Sequence, residues 1–214
     1  MASTSVYSSS PSASALLTTA YFGPVQWYQK LCRYGMVWIE RHDSFVKQTY
    51  RNRCVIAATH GTQALTIPVV HDPGATLTRD IRISDHGNWR HLHWRALCSA
   101  YGESPFFEFY ADDLAPFFER RWEFLFDFNE AIMHKMCELL DIHPDVRFTS
   151  AYGDTGGMAA DDFREVIRPK HPLPDPGFSP RPYYQVFAQC HGFQPNLSIL
   201  DLLMNEGNES IFFL

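Results

Sequence analysis

Short apolar runs punctuated by turn residues fill the first third of the chain. "ALLTTAYFGP" is apolar with Thr and Tyr, a strand pattern, and runs into Gly23 and Pro24, a turn followed by the first position of a helix. In "PVQWYQKLCRY" the residues Val25, Tyr28, Leu31 and Cys32 recur at helical spacing, and Gly35 stops the run before "MVWIE", a short buried strand. The pattern predicts a β-α-β unit. "RCVIAATHGTQALTIPVV" follows as two β-rich runs around His60-Gly61, a hairpin. From Asn88 the period changes. "NWRHLHWRALCSAY" places Trp89, Leu92, His93, Ala96, Leu97 and Ala100 on one helical face, a second helix starts near Ser104-Pro105, and "DFNEAIMHKMCELLD" gives a stripe of Phe128, Ile132, Met136, Leu139 and Leu140. "RPKHPLPDPGFSPRP" holds six prolines and reads as a long loop, since it can neither continue a helix nor pair as a central strand. A strand over Tyr183 to Phe187, a short helix in "LSILDLLMN" stopped by Gly207, and a terminal "IFFL" complete the chain. There is no internal repeat.

The elements predict one α/β domain over residues 15–214. It is three-layer-like, with a mixed sheet starting from the β-α-β unit and a helical middle third. Residues 1–14, "MASTSVYSSSPSAS", form a Ser-rich tail that cannot bury enough surface to order itself. The 214 residues are 45% hydrophobic and 15% aromatic, enough for one substantial core. A formal net charge of −6 argues against a nucleic-acid partner, which needs a dominant basic face. Five cysteines, an odd set without C-x-x-C spacing, fit a reducing cytoplasm. No apolar run approaches the roughly 18 residues of a membrane span, and no basic n-region precedes an export signal.

Against the acidic background, "HDSFVKQTYRNR" (residues 42–53) gathers Lys47, Arg51 and Arg53. In a right-handed β-α-β crossover the strands are parallel, so the start of the helix and the loop after the second strand share one sheet edge. That places Gly23-Pro24 beside the basic run, where exposed helix N–H groups and cationic side chains together favour an anionic small molecule. Lys47 and Arg51 point the same way in either a strand or a helix. An extended run is favoured by Thr49, Tyr50 and the hairpin, and sets them roughly 13 Å apart, suited to a diphosphate or sugar nucleotide; a helix would bring them to about 6 Å. Asn52 then faces away beside Tyr50. The competing reading is a solvated segment neutralising Glu40, Asp43 and Asp80.

Other candidates are weaker. His91 and His93 lie about 200° apart around a helix and cannot chelate one ion, so no metal site is expected; His93 reads as a satisfied core histidine. Adjacent Cys190 and His191 point to opposite faces of an extended segment, so a nucleophile-base pair there needs a partner from elsewhere. "YGDTGGMA" lacks the Lys-Ser/Thr of a phosphate loop and reads as a turn, and neither G-x-S-x-G nor G-x-G-x-x-G occurs. Asn196 and Ser198 suit helix capping, and Asp201 sits among Ile199, Leu200, Leu202 and Leu203. No cofactor is assigned.

Taken in order, "AYFGPVQWYQKL", "KQTYRNR", "LTIPV", "NWRHLHWRALCSAYGESPFFEFY", "DFN" and "HGFQPNLSILDLLMNEG" resemble the WbqC-like family, in the form seen in Bacteroidetes. Many relatives look like "QPNYLP" near the start, where this chain reads "YFGPVQ". The resemblance implies a place in O-antigen or other surface-polysaccharide biosynthesis, with a glycine-transfer role associated with a relative. The Asn52-Arg53 pair and the segment from Asn196 to Asp201 match family motif positions. The expectation is a cytoplasmic transferase that places an aminoacyl (glycyl) or acyl group on a nucleotide-linked amino sugar. Lys47, Arg51 and Arg53 would hold the diphosphate, and His191, Asp201, Tyr50 and Asn52 are the candidates for base and oxyanion donors. A non-catalytic anion-binding or scaffold protein is the alternative. A nucleotidyl transferase ranks third, because the first turn lacks the histidine that such chemistry uses.

Overall fold

A computed structural model describes residues 13–214. Strand β1 (Ser14–Thr18), helix α1 (Val25–Arg33) and strand β2 (Met36–Glu40) form the expected unit, with β1 and β2 parallel from Ser14 opposite Met36 to Thr18 opposite Glu40. Every residue of β1 is buried, as are Val37 to Glu40, because a parallel sheet is covered on both faces. Pro24 is the N-cap of α1, one position before the first helical turn. The tail expectation over residues 1–12 lies outside the described residues; Ser14 opens β1 and donates its hydroxyl to the Ala159 carbonyl at 2.7 Å.

Strands β3 (Arg53–Ala58) and β4 (Gly61–Thr66) make the antiparallel hairpin. The helical middle third consists of α2 (Trp89–Tyr101), α3 (Phe107–Glu119) and α4 (Leu125–Leu139). Strands β5 (Val146–Phe148) and β6 (Ala160–Asp162) extend the first sheet in the order β5-β2-β1-β6, all parallel. The protein is thus a mixed α/β domain in which parallel and antiparallel pairings are divided between two sheets. Tyr21, Phe22, Tyr28 and Phe128 are wholly buried at its centre. On α2, Trp89, His93, Leu97 and Ala100 face this core, while Leu92 is 59% exposed. At 100° per residue Leu92 lies roughly 140° from Leu97, on the far flank of the stripe.

Two expected elements differ. Lys47 to Asn52 form turns rather than an extended run, with Gln48 at φ +61°. The cause is local: Asn52 Oδ1 accepts from the Gln48 N–H at 3.1 Å, Thr49 Oγ1 donates to the Val46 carbonyl at 2.8 Å, and the Asn52 N–H reaches the Thr49 carbonyl at 3.2 Å. Such side-chain bonds offer the backbone an alternative to a ladder. Tyr183 to Phe187 form no strand either, because their partners are side chains. The Tyr184 N–H donates to Glu206 Oε1 at 2.9 Å, and the side chains of Tyr183 and Gln185 turn to Asp201. A one-turn helix α5 (Ala188–His191), then α6 (Ile199–Glu206) and a 3-10 segment (Gly207–Phe213), follow.

The proline-rich loop is a fastened strap. Asp175 Oδ2 takes the Lys30 ammonium at 2.6 Å and the Gln26 amide at 2.8 Å, and Arg181 Nη1 donates to the Phe212 carbonyl at 2.7 Å.

Candidate functional site

Because all four strands of the first sheet are parallel, their carboxyl ends share one edge. Along the chain β1, β2 and β5 advance in one direction and β6 is added on the other side of β1, so the order reverses there. Crevices in α/β sheets open at such a reversal. A cleft of about 540 Å³ lies at this edge. Its walls come from the segment after β2 (His42, Asp43, Ser44, Val46, Arg51), from Tyr152 in the loop after β5, and from the end of β6 (Asp162, Arg164, Glu165).

The cleft is built on Glu40, wholly buried at the last position of β2. Its Oε1 accepts from the His42 N–H and the Thr149 hydroxyl, both at 2.8 Å. Its Oε2 accepts from the Gly153 N–H at 2.6 Å and from Arg164 Nη1 at 3.1 Å. One carboxylate therefore ties three loops to the strand end. Arg164 also chelates Asp162, with Nη2 at 2.7 Å and Nε at 3.0 Å, and stacks on the Tyr152 ring at 4.6 Å. Burial works to raise the Asp162 pKa, yet the Arg164 hydrogen bonds and charge hold it below the ordinary carboxylate range. On the opposite wall Arg51 Nε donates to Asp43 Oδ2 at 3.1 Å and Nη2 closes on the same oxygen, while the Thr78 hydroxyl occupies Asp43 Oδ1. The His42 ring lies against Arg79 Nη1 at 3.2 Å and Arg41 Nε at 3.4 Å. Two guanidinium groups, several carboxylates, an imidazole and a phenol thus line one polar crevice, suited to a ligand rich in oxygen and nitrogen.

Of the basic run, Arg51 alone is among the residues lining the cleft. Lys47 is exposed next to the cleft-lining Val46 and makes no ion pair among the described residues. Arg53 lies in the hairpin, its Nε donating to Thr66 Oγ1 at 2.9 Å. Asn52 is buried, and its Nδ2 donates to the Ile67 carbonyl at 3.0 Å. The Arg51 carbonyl is held by Asn129 Nδ2 at 2.7 Å, so the "TYRNR" and "DFN" stretches are joined structurally. Tyr50 accepts from the Tyr21 N–H at 2.8 Å through its carbonyl, and burial pushes its phenol up to about 12. The neutral phenol is therefore its form near pH 7.

The start of α1 is closed. The Val25 N–H donates to the Leu197 carbonyl at 2.9 Å, and the Gln26 N–H donates to Asn196 Oδ1 at 2.9 Å. Asn196 therefore caps α1, while Ser198 caps α6 through the Leu200 N–H at 3.3 Å and ties back to the Phe22 carbonyl at 2.8 Å. An anion at the first helical turn is ruled out by this clasp, since the N–H groups it would use are taken.

His191 and Asp201 are not among the residues lining this crevice. His191 Nε2 sits 2.8 Å from the Thr59 carbonyl. Asp201 is wholly buried, its Oδ2 accepting from the Tyr183 hydroxyl and Gln185 Nε2, each at 2.8 Å, with the Tyr101 phenol also beside the carboxylate. Burial raises its pKa to about 6. The folded value exceeds the ordinary 3.8, so the associated stabilisation is complete below about pH 4 and is lost as pH rises through 6. Asp201→Asn keeps an acceptor for Tyr183 and Gln185 and removes the ionisation. It is expected to gain up to about 3 kcal/mol relative to the parent between pH 4 and pH 8. Urea unfolding at both pH values measures this, and parallel pH profiles would refute it. His93 is the core histidine the pattern predicts: burial lowers its pKa to about 4, and Nδ1 pairs with the Tyr21 hydroxyl at 2.9 Å.

Among the described residues no group of three or more His, Cys, Asp or Glu side chains is placed to hold a metal ion, and no helix is long and apolar enough to cross a membrane. The cleft was largely missed because its walls are separated by about a hundred residues. Two local signals existed: a glutamate closing the otherwise apolar "MVWIE", and the turn "YGDTGGMA", which delivers both Gly153 and Tyr152.

The fold defines an α/β protein with a polar crevice at the carboxyl edge of a parallel sheet. The chain belongs to the WbqC-like protein family, which matches residues 19–168. It is also 27% identical over 197 residues to the uncharacterized protein Rv1507c of Mycobacterium tuberculosis, covering 79% of this chain and 83% of that protein. No solved structure matches it. Every cleft-lining residue falls inside the matched span, whereas His191 and Asp201 fall outside it.

Proposed function

We propose that this WbqC-like protein is a cytoplasmic transferase of surface-polysaccharide biosynthesis that binds a nucleotide-linked amino sugar in the carboxyl-edge cleft and adds an aminoacyl or acyl group to its amine. The observation that supports the reading is the placing of Arg51, Arg164, Tyr152 and His42 around one crevice of about 540 Å³. Lys47 and Arg51 supply positive charge to the diphosphate, Lys47 from its exposed position next to Val46. His42 is the imidazole lining the cleft, and it serves as base once a ring nitrogen is released from the Arg79 or Arg41 guanidinium that contacts it. The sugar amine attacks the carbonyl of an activated acyl donor, the donor's leaving group departs, and the imidazole takes the proton from the new bond's nitrogen. His191 and Asp201 have no part in this scheme.

Val46 is 45% exposed on the cleft wall, so Val46→Trp fills the crevice without removing a side-chain hydrogen bond. Calorimetry with UDP-, dTDP- and GDP-linked amino sugars is expected to show binding to the parent and at least about tenfold weaker binding to the variant, a difference of about 1.4 kcal/mol. A parent protein that binds none of them sinks the reading. The non-catalytic alternative draws on one observation: both cleft guanidinium groups are already paired with carboxylates. Binding without turnover of any acyl donor, and with His42→Ala unchanged, would favour it.

A further inference from the structure

Resting on the reading above, we propose that Tyr152 is the stacking platform for the nucleobase of the cleft ligand. Tyr152 is 67% exposed, a large aromatic left in water at the mouth of a polar crevice. Its loop is held firmly. The Gly153 N–H is bound to Glu40 at 2.6 Å, the Gly156 N–H to Asp154 Oδ1 at 2.9 Å, and Thr155 Oγ1 donates to the Met158 carbonyl at 2.6 Å. Gly153 and Gly156 take positive φ of +68° and +63°, and a Cβ on Gly156 would lie 3.6 Å from the Trp38 ring, so the loop also leans on the sheet. A loop tied by these bonds that leaves a ring face open has less ordering to undergo on binding.

The ring has two faces with different fates. The Arg164 guanidinium, itself fixed by Asp162 and Glu40, covers one at 4.6 Å, leaving the other for a ligand. A cation behind the ring draws on its negative quadrupole, which weakens attraction for the slightly positive C–H groups of a sugar. Stacking of a planar base depends on dispersion and overlap and tolerates that polarisation. The base therefore belongs on Tyr152. The diphosphate and amino sugar extend toward the wall that carries Arg51, Asp43 and His42.

The test compares Tyr152→Ala and Tyr152→Phe with the parent by calorimetry, using a UDP-linked amino sugar, UDP alone and the matching amino sugar 1-phosphate. Tyr152 is exposed and Arg164 keeps both carboxylates, so the variants are expected to fold, with circular dichroism as the check. Base stacking of about 1–3 kcal/mol predicts a loss of roughly five- to 150-fold for both UDP-containing ligands in the alanine variant. The phenylalanine variant restores it, and sugar 1-phosphate binding stays unchanged. Equal loss for the sugar 1-phosphate assigns the ring to the sugar and overturns the inference. Undiminished UDP binding in Tyr152→Ala overturns it while leaving the proposed function intact. A parent that binds none of the UDP-, dTDP- and GDP-linked amino sugars removes both, and if it binds only a dTDP- or GDP-linked sugar the same comparison is made with that nucleotide series.

Discussion

Glu40→Ala is expected to lower the stability of the fold by about 3–5 kcal/mol, the range for stripping one partner from a buried charged network. Glu40 accepts four hydrogen bonds from four residues and is wholly buried. Its removal strands the His42 and Gly153 N–H groups and the Thr149 hydroxyl, and takes one of two carboxylates from Arg164, whose side chain is only 14% exposed. Glu40→Gln tests the charge separately. At the Oε2 position its NH2 meets the Gly153 and Arg164 donors, and at the Oε1 position it meets the His42 N–H beside a Thr149 hydroxyl that can turn to accept. Either orientation leaves at least one donor unserved, so the isosteric variant should show part of the same loss. Urea unfolding measures both, and a loss under about 1 kcal/mol for alanine would contradict the assignment of Glu40 as the anchor of the cleft. On the proposed function, nucleotide-sugar binding should fall with stability, because Glu40 holds both the loop bearing Tyr152 and the segment bearing His42.

The second large effect lies on the strap. Asp175→Ala leaves the Lys30 ammonium, 3% exposed, with the Gln29 amide oxygen at 3.2 Å and the face of the Phe163 ring at 4.6 Å. An uncompensated buried ammonium predicts a loss of about 3–5 kcal/mol. The double variant Lys30→Met with Asp175→Ala removes the stranded charge as well and is expected to recover more than half of it, since an apolar side chain in a buried ion pair's place is often tolerated. Thermal unfolding gives the stability, and limited proteolysis reports whether residues 168–187 have come loose. A double variant as unstable as Asp175→Ala would show that packing, rather than charge, holds the strap.

What could be read from sequence was whatever short-range physics decides. The β-α-β start, the hairpin and the three long helices announce themselves by period and by Gly-Pro punctuation, and they are present. Strands β5 and β6, three residues each, carry no period; β1 and β2 impose their pairing from more than a hundred residues away. The Lys47 to Asn52 segment has strand-forming composition, but Thr49 and Asn52 bind their own backbone and turn it. Topology alone places the segment after β2 at the carboxyl edge of the sheet, and Arg51 lines the crevice there. Its engagement with Asp43 is what the competing charge-balance reading expects. Asp201 stands out in the sequence by lying among apolar residues, yet its partners Tyr183 and Gln185 come from a segment whose pattern suggests a strand.

The clasp over α1 has a consequence for biogenesis. Asn196, which accepts from the Gln26 backbone, is separated from it by 170 positions. At about 5–20 residues per second, a ribosome takes roughly 10–35 seconds to bridge that interval. Throughout it, the Val25 and Gln26 amide groups have only water as a partner, so this end of the first helix closes only after Leu197 has been synthesised.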